Sequence, residues 1–303
     1  MSIPGGVQAD FPLARLTTVR TGGPADFYAR PEDSEQLVEL LAWADAEGHQ
    51  VGVIGSGSNL LVADAGFRGL AMKLDGPLAQ TERDGPRLRC GGGARLPSVA
   101  ARAAREGLTG IEFGVNIPGT VGGAVKMNAN AYGGDLAKAL EWADVATPGG
   151  IDRRGPGDFE FRYRHSNLGP REVVAEVSFL LEDADPADVK TTLADMRARR
   201  RAAQPSGIKT FGSTFKNPDD ERAEGRSAGV LLDQAGCRGL TVGGARLSPV
   251  HANFVENHDN ATTADVVALM AEARRRVREE FGLELEAEVQ TLGDVGGWDE
   301  EPE

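Results

Sequence analysis

Gly114 to Gly134, GVNIPGTVGGAVKMNANAYGG, is the stretch from which the rest of this chain is read, because almost every position in it is small, amide-bearing or glycine. Such a segment builds little core. Glycine lets another backbone or a ligand come within contact distance, at a cost of about 0.5–1 kcal/mol per residue relative to alanine inside a regular element. The stretch reads as a loop whose N–H groups line up on a phosphate or a flat cofactor, with Asn128 and Asn130 adding side-chain donors and acceptors. A cluster of tight turns at a sheet edge is the alternative. A second glycine-rich stretch upstream, Gly55 to Leu60 (GSGSNL), favours the ligand.

That upstream loop follows the apolar strand Val51 to Ile54 and resembles the GxGxxG dinucleotide fingerprint, with Asp75 downstream where a ribose contact would fall. Two features exclude that fold. Leu60 stands in place of the third glycine, and Ala65-Gly66 breaks the long helix that such a turn must open. The loop can still bind a diphosphate through its amides and the Ser56, Ser58 and Asn59 side chains. Gly119 to Lys126 likewise fails as a P-loop, since no GKS or GKT follows.

With 303 residues the chain has room for one large domain or two to three smaller ones, and its net charge of -13 argues against nucleic acid or an anionic membrane as partner. Any phosphate site must therefore be local. Cys90 and Cys237 lie far apart without CxxC spacing, which argues against a disulfide framework or structural zinc and fits a reducing compartment. His49, His165, His251 and His258 show no ligand spacing, so no metal is expected. The N-terminus has no basic-then-apolar leader and no window reaches transmembrane length, so a cytoplasmic protein is expected. Gly293 to Glu303, GDVGGWDEEPE, reads as a solvated tail.

Outward from the glycine loops, ADFYA reads as a strand, followed by a helix capped by Ser34, striped by Leu37, Leu40, Leu41 and Ala44, and stopped at Gly48. Strands are expected at Leu70 to Leu74, Leu88 to Gly91, Trp142 to Ala146 and Val173 to Leu181, and a helix from about Pro97 to Glu106. Asp185 to Ala203 reads as a helix with Pro186 in first position and Val189, Leu193 and Met196 on one face. Its Arg197, Arg199, Arg200 and Arg201 read as a solvated face or as last-turn cations, with a ligand phosphate as the second reading. A composition shift at Gln204-Pro205-Ser206-Gly207 places a domain boundary near 185 to 205. The C-terminal part reads as an α/β module, with Thr262 and Asp265 starting a helix along Val266, Leu269, Met270, Ala273, Val277 and Phe281.

Three further features are hard to explain as packing. Tyr163-Arg164-His165-Ser166 lies between strands, where an arginine can fork a carboxylate or phosphate. Gly212 to Pro218, GSTFKNP, is a turn that presents Ser213 with little cover, and LELEAEVQTLG sets Glu284, Glu286 and Glu288 on one side of an expected strand. These motifs, with TTVRTGGPADF, VIGSGSNLLV, the Gly114 to Gly134 loop, RRRAAQP and LLDQAGCRGLTVGGARLSPVHANF, resemble in type and order the UDP-N-acetylenolpyruvoylglucosamine reductase family. The resemblance runs from about Thr17 to Gly293 and is to the shorter class of that family.

It implies an α+β fold with an FAD-binding module of the vanillyl-alcohol-oxidase (PCMH) type, in two subdomains over residues 1–187. A C-terminal α/β substrate-binding domain over 188–293 and an acidic tail over 294–303 complete the chain. The implied activity passes hydride from NADPH to FAD and on to an enolpyruvyl UDP-sugar, giving UDP-N-acetylmuramate for peptidoglycan. Gly55, Ser56, Gly57, Ser58 and Asn59, with Gly119, Thr120, Gly122 and Gly123, would hold FAD. The flavin is expected to be non-covalent, since neither loop carries His or Cys. Ser213 matches the proton donor, Arg164 and Glu288 match the groups that polarise the substrate carboxylate, and Tyr163, Lys216 and Asn217 would meet the UDP-sugar. Lys216 or a relay water would offset the alkoxide left on Ser213. The expected partners are the UDP-sugar and NADPH, with no nucleic acid or membrane, and the chain is expected to be a monomer.

The chain departs from the family pattern at Asn116 and Asn130, where glycine is common, and at Ala287 and Gln290, where proline and arginine are usual. Asparagine tolerates the left-handed region best among non-glycine residues, so the loop conformation is expected to survive. Two other readings remain: an FAD-dependent oxidase of a sugar or hydroxy acid on the same module, and a non-catalytic UDP-sugar or nucleotide-binding regulator. A colourless protein that gains no flavin absorbance with FAD would favour the second.

Overall fold

The apolar run VVAEVSFL forms the strand Val173–Leu180, buried except at Glu176 and Leu180. Its side chains divide between two cores: Val177 and Phe179 enter one, Val173 and Ala175 the other. A strand buried on both faces needs cover on both, and the architecture supplies it. In this computed structural model, which describes residues 2–203 and 207–296, the strand is central to a five-stranded antiparallel sheet. The order is Gly150–Arg154, Leu140–Thr147, Val173–Leu180, Arg87–Gly91, Thr81–Asp84. The helix Leu96–Arg105 packs Val99, Ala100, Ala103 and Ala104 with Leu88, Cys90 and Phe179.

A second sheet orders Gln8–Pro12, Pro24–Ala29, Phe67–Met72 and Gln50–Val53, the last two strands being parallel. The helix Ser34–Ala46 joins Leu37, Leu40, Leu41 and Trp43 to Leu70 and Met72. Its N-cap is Asp33, whose Oδ1 accepts from Gln36 N at 2.8 Å, and not Ser34, which is the first helical residue. Asp33 has the extended backbone that a cap requires.

The chain divides into two compact units: Met1–Ala9, Phe27–Ser56 and Arg68–Ala202 in the first, Asp10–Asp26, Gly57–Phe67 and Ala203–Glu303 in the second. The division differs from a boundary at 187/188. The helix Pro186–Ala203 sends Val189 and Leu193 into the first unit's core, and Val19 and Leu61 are buried among C-terminal side chains. Distant segments therefore join the unit whose apolar cluster takes them. Gln204, Pro205 and Ser206, at the expected linker, and residues 297–303 of the expected tail lie outside the described residues.

In the second unit an antiparallel sheet runs Thr210–Ser213, Phe254–Asn257, Ala245–Leu247, Thr241–Val242. The helix Thr263–Phe281 covers it with the expected stripe from Val266 to Val277, and Thr262 and Asp265 close the capping box. The expected strand over Leu283 to Gly293 is only partly regular. Leu283 and Leu285 are buried and Glu284 and Glu286 exposed, as alternation demands, but pairing is limited to a single bridge from Ala287 to Phe215 and to Gln290–Leu292, parallel to Leu60–Val62. A strand and not a helix thus follows the GSGSN loop, in keeping with the rejected dinucleotide fingerprint. Among the described residues no helix is long and apolar enough to cross a membrane.

Candidate active site

The Gly55-Ser56 end of the upstream glycine stretch meets the Gly114 to Gly134 stretch within the first unit. Ser56 Oγ donates to the Pro118 carbonyl, and a Cβ on Gly55 would stand 2.5 Å from Thr120 Oγ1. Only a residue without a side chain allows that approach. The main-chain amides of the second turn, however, are turned inward. Gly119 N donates to Ile117 O, Val121 N to Ala94 O, Gly122 N to Gly92 O, and Gly123 N to Thr120 Oγ1 as the N-cap of Val121–Lys126. The expectation that these amides present themselves to a phosphate is corrected: the glycines let the short helix seat on the Gly92 backbone.

A cation lies beside the first turn. Lys73 Nζ donates to the Gly55 carbonyl at 2.8 Å, and burial pulls its ammonium below the usual lysine range, with Arg30 and Arg95 adding positive potential and Asp75 opposing it. This is the local positive charge that a phosphate site in so acidic a chain requires. The sequence signal was a lone lysine closing the apolar strand Phe67–Met72. A half-buried ammonium and the Thr120 hydroxyl at two tightly apposed glycine turns are donors that fit the diphosphate of a dinucleotide. Lys73→Met is expected to weaken FAD binding about tenfold, a loss near the lower end for a hydrogen bond to a charged group. Quenching of flavin fluorescence on titration measures it, and an unchanged dissociation constant would remove Lys73 from the site.

Arg164 occupies the tip of a two-residue turn. Arg162 and His165 exchange backbone hydrogen bonds at 3.2 and 3.1 Å, and Arg164 lies in the left-handed region at φ 56°. That conformation costs a non-glycine residue about 1–2 kcal/mol and persists only where surroundings enforce it. Here Asn128 Nδ2 donates to Arg162 O at 3.1 Å and Ser166 Oγ to Lys126 O at 2.8 Å. The Arg164 guanidinium stands 4.8 Å from the centre of the Tyr163 ring and donates through Nη1 to Asn130 Oδ1 at 2.9 Å. Asn128 and Asn130, expected to face a ligand, thus serve the arginine turn. The left-handed non-glycine positions of the loop are Asn128 and Tyr132, not Asn116 or Asn130, and Asn116 Nδ2 donates to Met196 O at 2.7 Å.

In the second unit, Ser213 ends its strand beyond an irregularity in the pairing with Phe254–Asn257, directly after Gly212 at φ 83°. The irregularity falls between Thr210 and Ser213, and Ser213 itself stays in register with Phe254. The residues after it are held by Asn253, overlooked in the sequence although an asparagine in an apolar strand run is a signal. Its buried amide accepts from Phe215 N and donates to Phe215 O, both at 2.9 Å, while its carbonyl accepts from Thr214 N at 2.8 Å. Glu288 is attached to the same segment through its N–H on Thr214 O at 2.8 Å. The Glu288 carbonyl accepts from Asn59 Nδ2 at 3.1 Å and from Gln290 Nε2 at 3.3 Å. Asn59 thus spends its side chain on the acid segment, with Ser58 O 3.5 Å from where a Gly212 Cβ would sit.

Lys216 is paired with Glu286 at 3.0 Å, and Asn217 Oδ1 accepts from Ala228 N at 3.1 Å, at the start of the helix Ala228–Gln234. Both side chains are therefore partly engaged in the fold. Among the described residues no group of three or more His, Cys, Asp or Glu side chains is placed to hold a metal ion.

The chain matches the FAD binding domain family over residues 25–152 and the UDP-N-acetylenolpyruvoylglucosamine reductase C-terminal domain over 204–292. It is 44% identical to UDP-N-acetylenolpyruvoylglucosamine reductase 2 of Symbiobacterium thermophilum over 96% of this chain and 93% of the relative. It is 43% identical to the reductase of Anaeromyxobacter dehalogenans over 94% and 85%. The crystal structure of the reductase from Thermus caldophilus superposes with a TM-score of 0.80 at 36% identity, covering 94% of this chain and 98% of that one. The fold is accordingly α+β, an FAD-binding module of the vanillyl-alcohol-oxidase type followed by the reductase C-terminal domain. With both domains matched and identity sustained along nearly the whole of each relative, this chain belongs to the UDP-N-acetylenolpyruvoylglucosamine reductase family.

Proposed function

We propose that Arg164, Ser213 and Glu288 divide between them the reduction of the enolpyruvyl ether of a UDP-sugar. The activity is the NADPH-dependent, FAD-mediated conversion of UDP-N-acetyl-enolpyruvoylglucosamine to UDP-N-acetylmuramate in peptidoglycan precursor synthesis. FAD, when bound, supplies the redox chemistry, taking hydride from NADPH and delivering it to the alkene. As hydride arrives, negative charge builds on the carbon α to the carboxylate and spreads into it as an enediolate. The guanidinium of Arg164 stabilises that charge, a task worth about 3–4 kcal/mol for one well-placed donor. Glu288, in its protonated form, adds a second donor to the carboxylate. Ser213 gives its hydroxyl proton to the α carbon.

The observation that carries the reading is that similarity extends through the C-terminal domain, where Ser213 directly follows Gly212 at φ 83° and an irregularity in its strand. A flavin oxidase built on the module alone would not need that domain. Gly55 to Asn59 and Gly119 to Gly123 are assigned to FAD, with Thr120 and Lys73 as polar contacts. Tyr163, Lys216 and the free end of the Asn217 amide are assigned to the UDP-sugar. The reading extends to a monomeric cytoplasmic enzyme; the net charge of -13 supports the absence of an anionic-membrane partner.

Stopped-flow absorbance tests the assignment. NADPH is expected to bleach the flavin, and the enolpyruvyl UDP-sugar to restore its colour without oxygen, whereas the saturated sugar does not. Restoration by oxygen alone at a comparable rate would point to the oxidase instead.

A further inference from the structure

Thr210 pairs with Glu256 and Ser213 with Phe254, so Phe211 and Gly212 together stand opposite Val255. The strand thus carries one residue more than its partner, and Gly212 takes up the surplus in the left-handed region at φ 83°. Where that surplus is stored decides which way Ser213 points. Side chains alternate along a strand, so moving the irregularity by one residue past Ser213 would carry its hydroxyl to the opposite face of the sheet. A proton donor placed here needs a stop on each side of the irregularity.

The stop beyond it is Asn253, whose amide holds Phe215 N and O and whose carbonyl accepts from Thr214 N. The stop before it comes from far away in the chain. Thr18 Oγ1 lies 2.5 Å from the Thr210 carbonyl and 3.0 Å from the Gly57 carbonyl. Its one proton is shared between the two, mostly with the nearer, while the Thr18 N–H donates to Gly57 O at 3.0 Å. Thr18 is itself fixed without help from its hydroxyl. The next side chain, Val19, is buried among C-terminal residues, and the Val19 carbonyl accepts from Asn257 Nδ2 at 2.9 Å.

We infer that Thr18 is a positioning residue for Ser213: it ties Thr210, the last residue in register before the irregularity, to Gly57 of the flavin loop. The loop assigned to the cofactor thereby also fixes the face on which the proton donor stands. This rests on the readings of Gly57 and Ser213 given above.

Thr18→Val tests it, since valine keeps the size and the N–H and loses the hydroxyl. In the flavin-loaded protein it is expected to leave flavin content and reduction by NADPH as in the wild type, and to slow reoxidation by the enolpyruvyl UDP-sugar about tenfold, the upper range for one hydrogen bond. Thr18→Ser, which keeps the donor, is expected to stay within about twofold of the wild type. Hydrogen exchange of the peptide from Thr210 to Lys216 gives a readout free of turnover, expected to be about tenfold faster in Thr18→Val and restored in Thr18→Ser. In a Ser213→Ala background, Thr18→Val is expected to cost less than about twofold more in reoxidation. Wild-type reoxidation or wild-type exchange in Thr18→Val, equal slowing of both half-reactions, a Thr18→Ser enzyme as slow as Thr18→Val, or equal losses with and without Ser213 would overturn the inference and leave Ser213 in its role. A Ser213→Ala enzyme that reoxidises at the wild-type rate would remove Ser213 itself, and Thr18 with it.

Discussion

Ser213→Ala is expected to reduce its flavin with NADPH at the wild-type rate and to reoxidise it with the enolpyruvyl UDP-sugar about 10²- to 10⁴-fold more slowly, the range for loss of one positioned proton donor. The first half-reaction asks nothing of this hydroxyl, whereas the second cannot finish without a proton. The geometry supports a dedicated donor. Gly212 adopts a backbone conformation that side chains avoid, the ladder slips between Thr210 and Ser213, and Asn253 holds the Phe215 backbone with both ends of its amide. A serine meant only to cap or fill would not need so much support. Lys216, expected as one candidate to offset the alkoxide left on Ser213, is paired with Glu286, so Ser213→Ala and Lys216→Ala should differ sharply. Single-turnover reoxidation is the measurement, and a Ser213→Ala enzyme that reoxidises at the normal rate would show that the proton comes from elsewhere.

Gly57→Ala is expected to destabilise the protein by about 2–5 kcal/mol, combining a left-handed backbone penalty with an overpacked contact. Gly57 sits at φ 65°, and an added Cβ would stand 2.0 Å from the Leu16 carbonyl oxygen and 2.8 Å from Thr17 Cα. Neither neighbour can swing away, since both are backbone. The loop is also fastened there, with Thr18 N and Thr18 Oγ1 donating to Gly57 O, each at 3.0 Å. Gly76 makes the control. It shares the left-handed backbone, at φ 54°, but nothing lies within 4 Å of its missing Cβ. Gly76→Ala should therefore show the conformational part alone, about 1–2 kcal/mol. Thermal unfolding would put Gly57→Ala roughly 5–15 °C below the native protein, with reduced flavin content. Equal melting temperatures for the two variants would mean that the Leu16 contact relaxes at little cost.

Local patterns were readable wherever one face of one element decided them. The stripe Val266, Leu269, Met270, Ala273 and Val277 with its Thr262 and Asp265 capping box, and the strand Val173–Leu180, follow from periodicities of 3.6 and 2. The residues expected at the site were legible as types, because a carboxylate needs a guanidinium and a glycine turn needs no Cβ. Their partners were not. Nothing in the spacing of Lys73 and Gly55, of Asn130 and Arg164, or of Asn253 and Phe215 predicts that they touch, since each bond closes a long loop whose ends are brought together by burial elsewhere.

By itself, then, the sequence determined the chain's element pattern, its glycine turns and the chemical kinds of group that its family's reaction uses. The tertiary structure decided which amides are consumed inside the chain, as at Gly119 to Gly123, and which side chains hold others in place. It also decided that Val19 and Leu61 join a core built mainly from residues beyond 210. The reason is physical: backbone periodicity is a property of neighbours along the chain, whereas hydrogen-bond satisfaction and apolar burial are settled among neighbours in space.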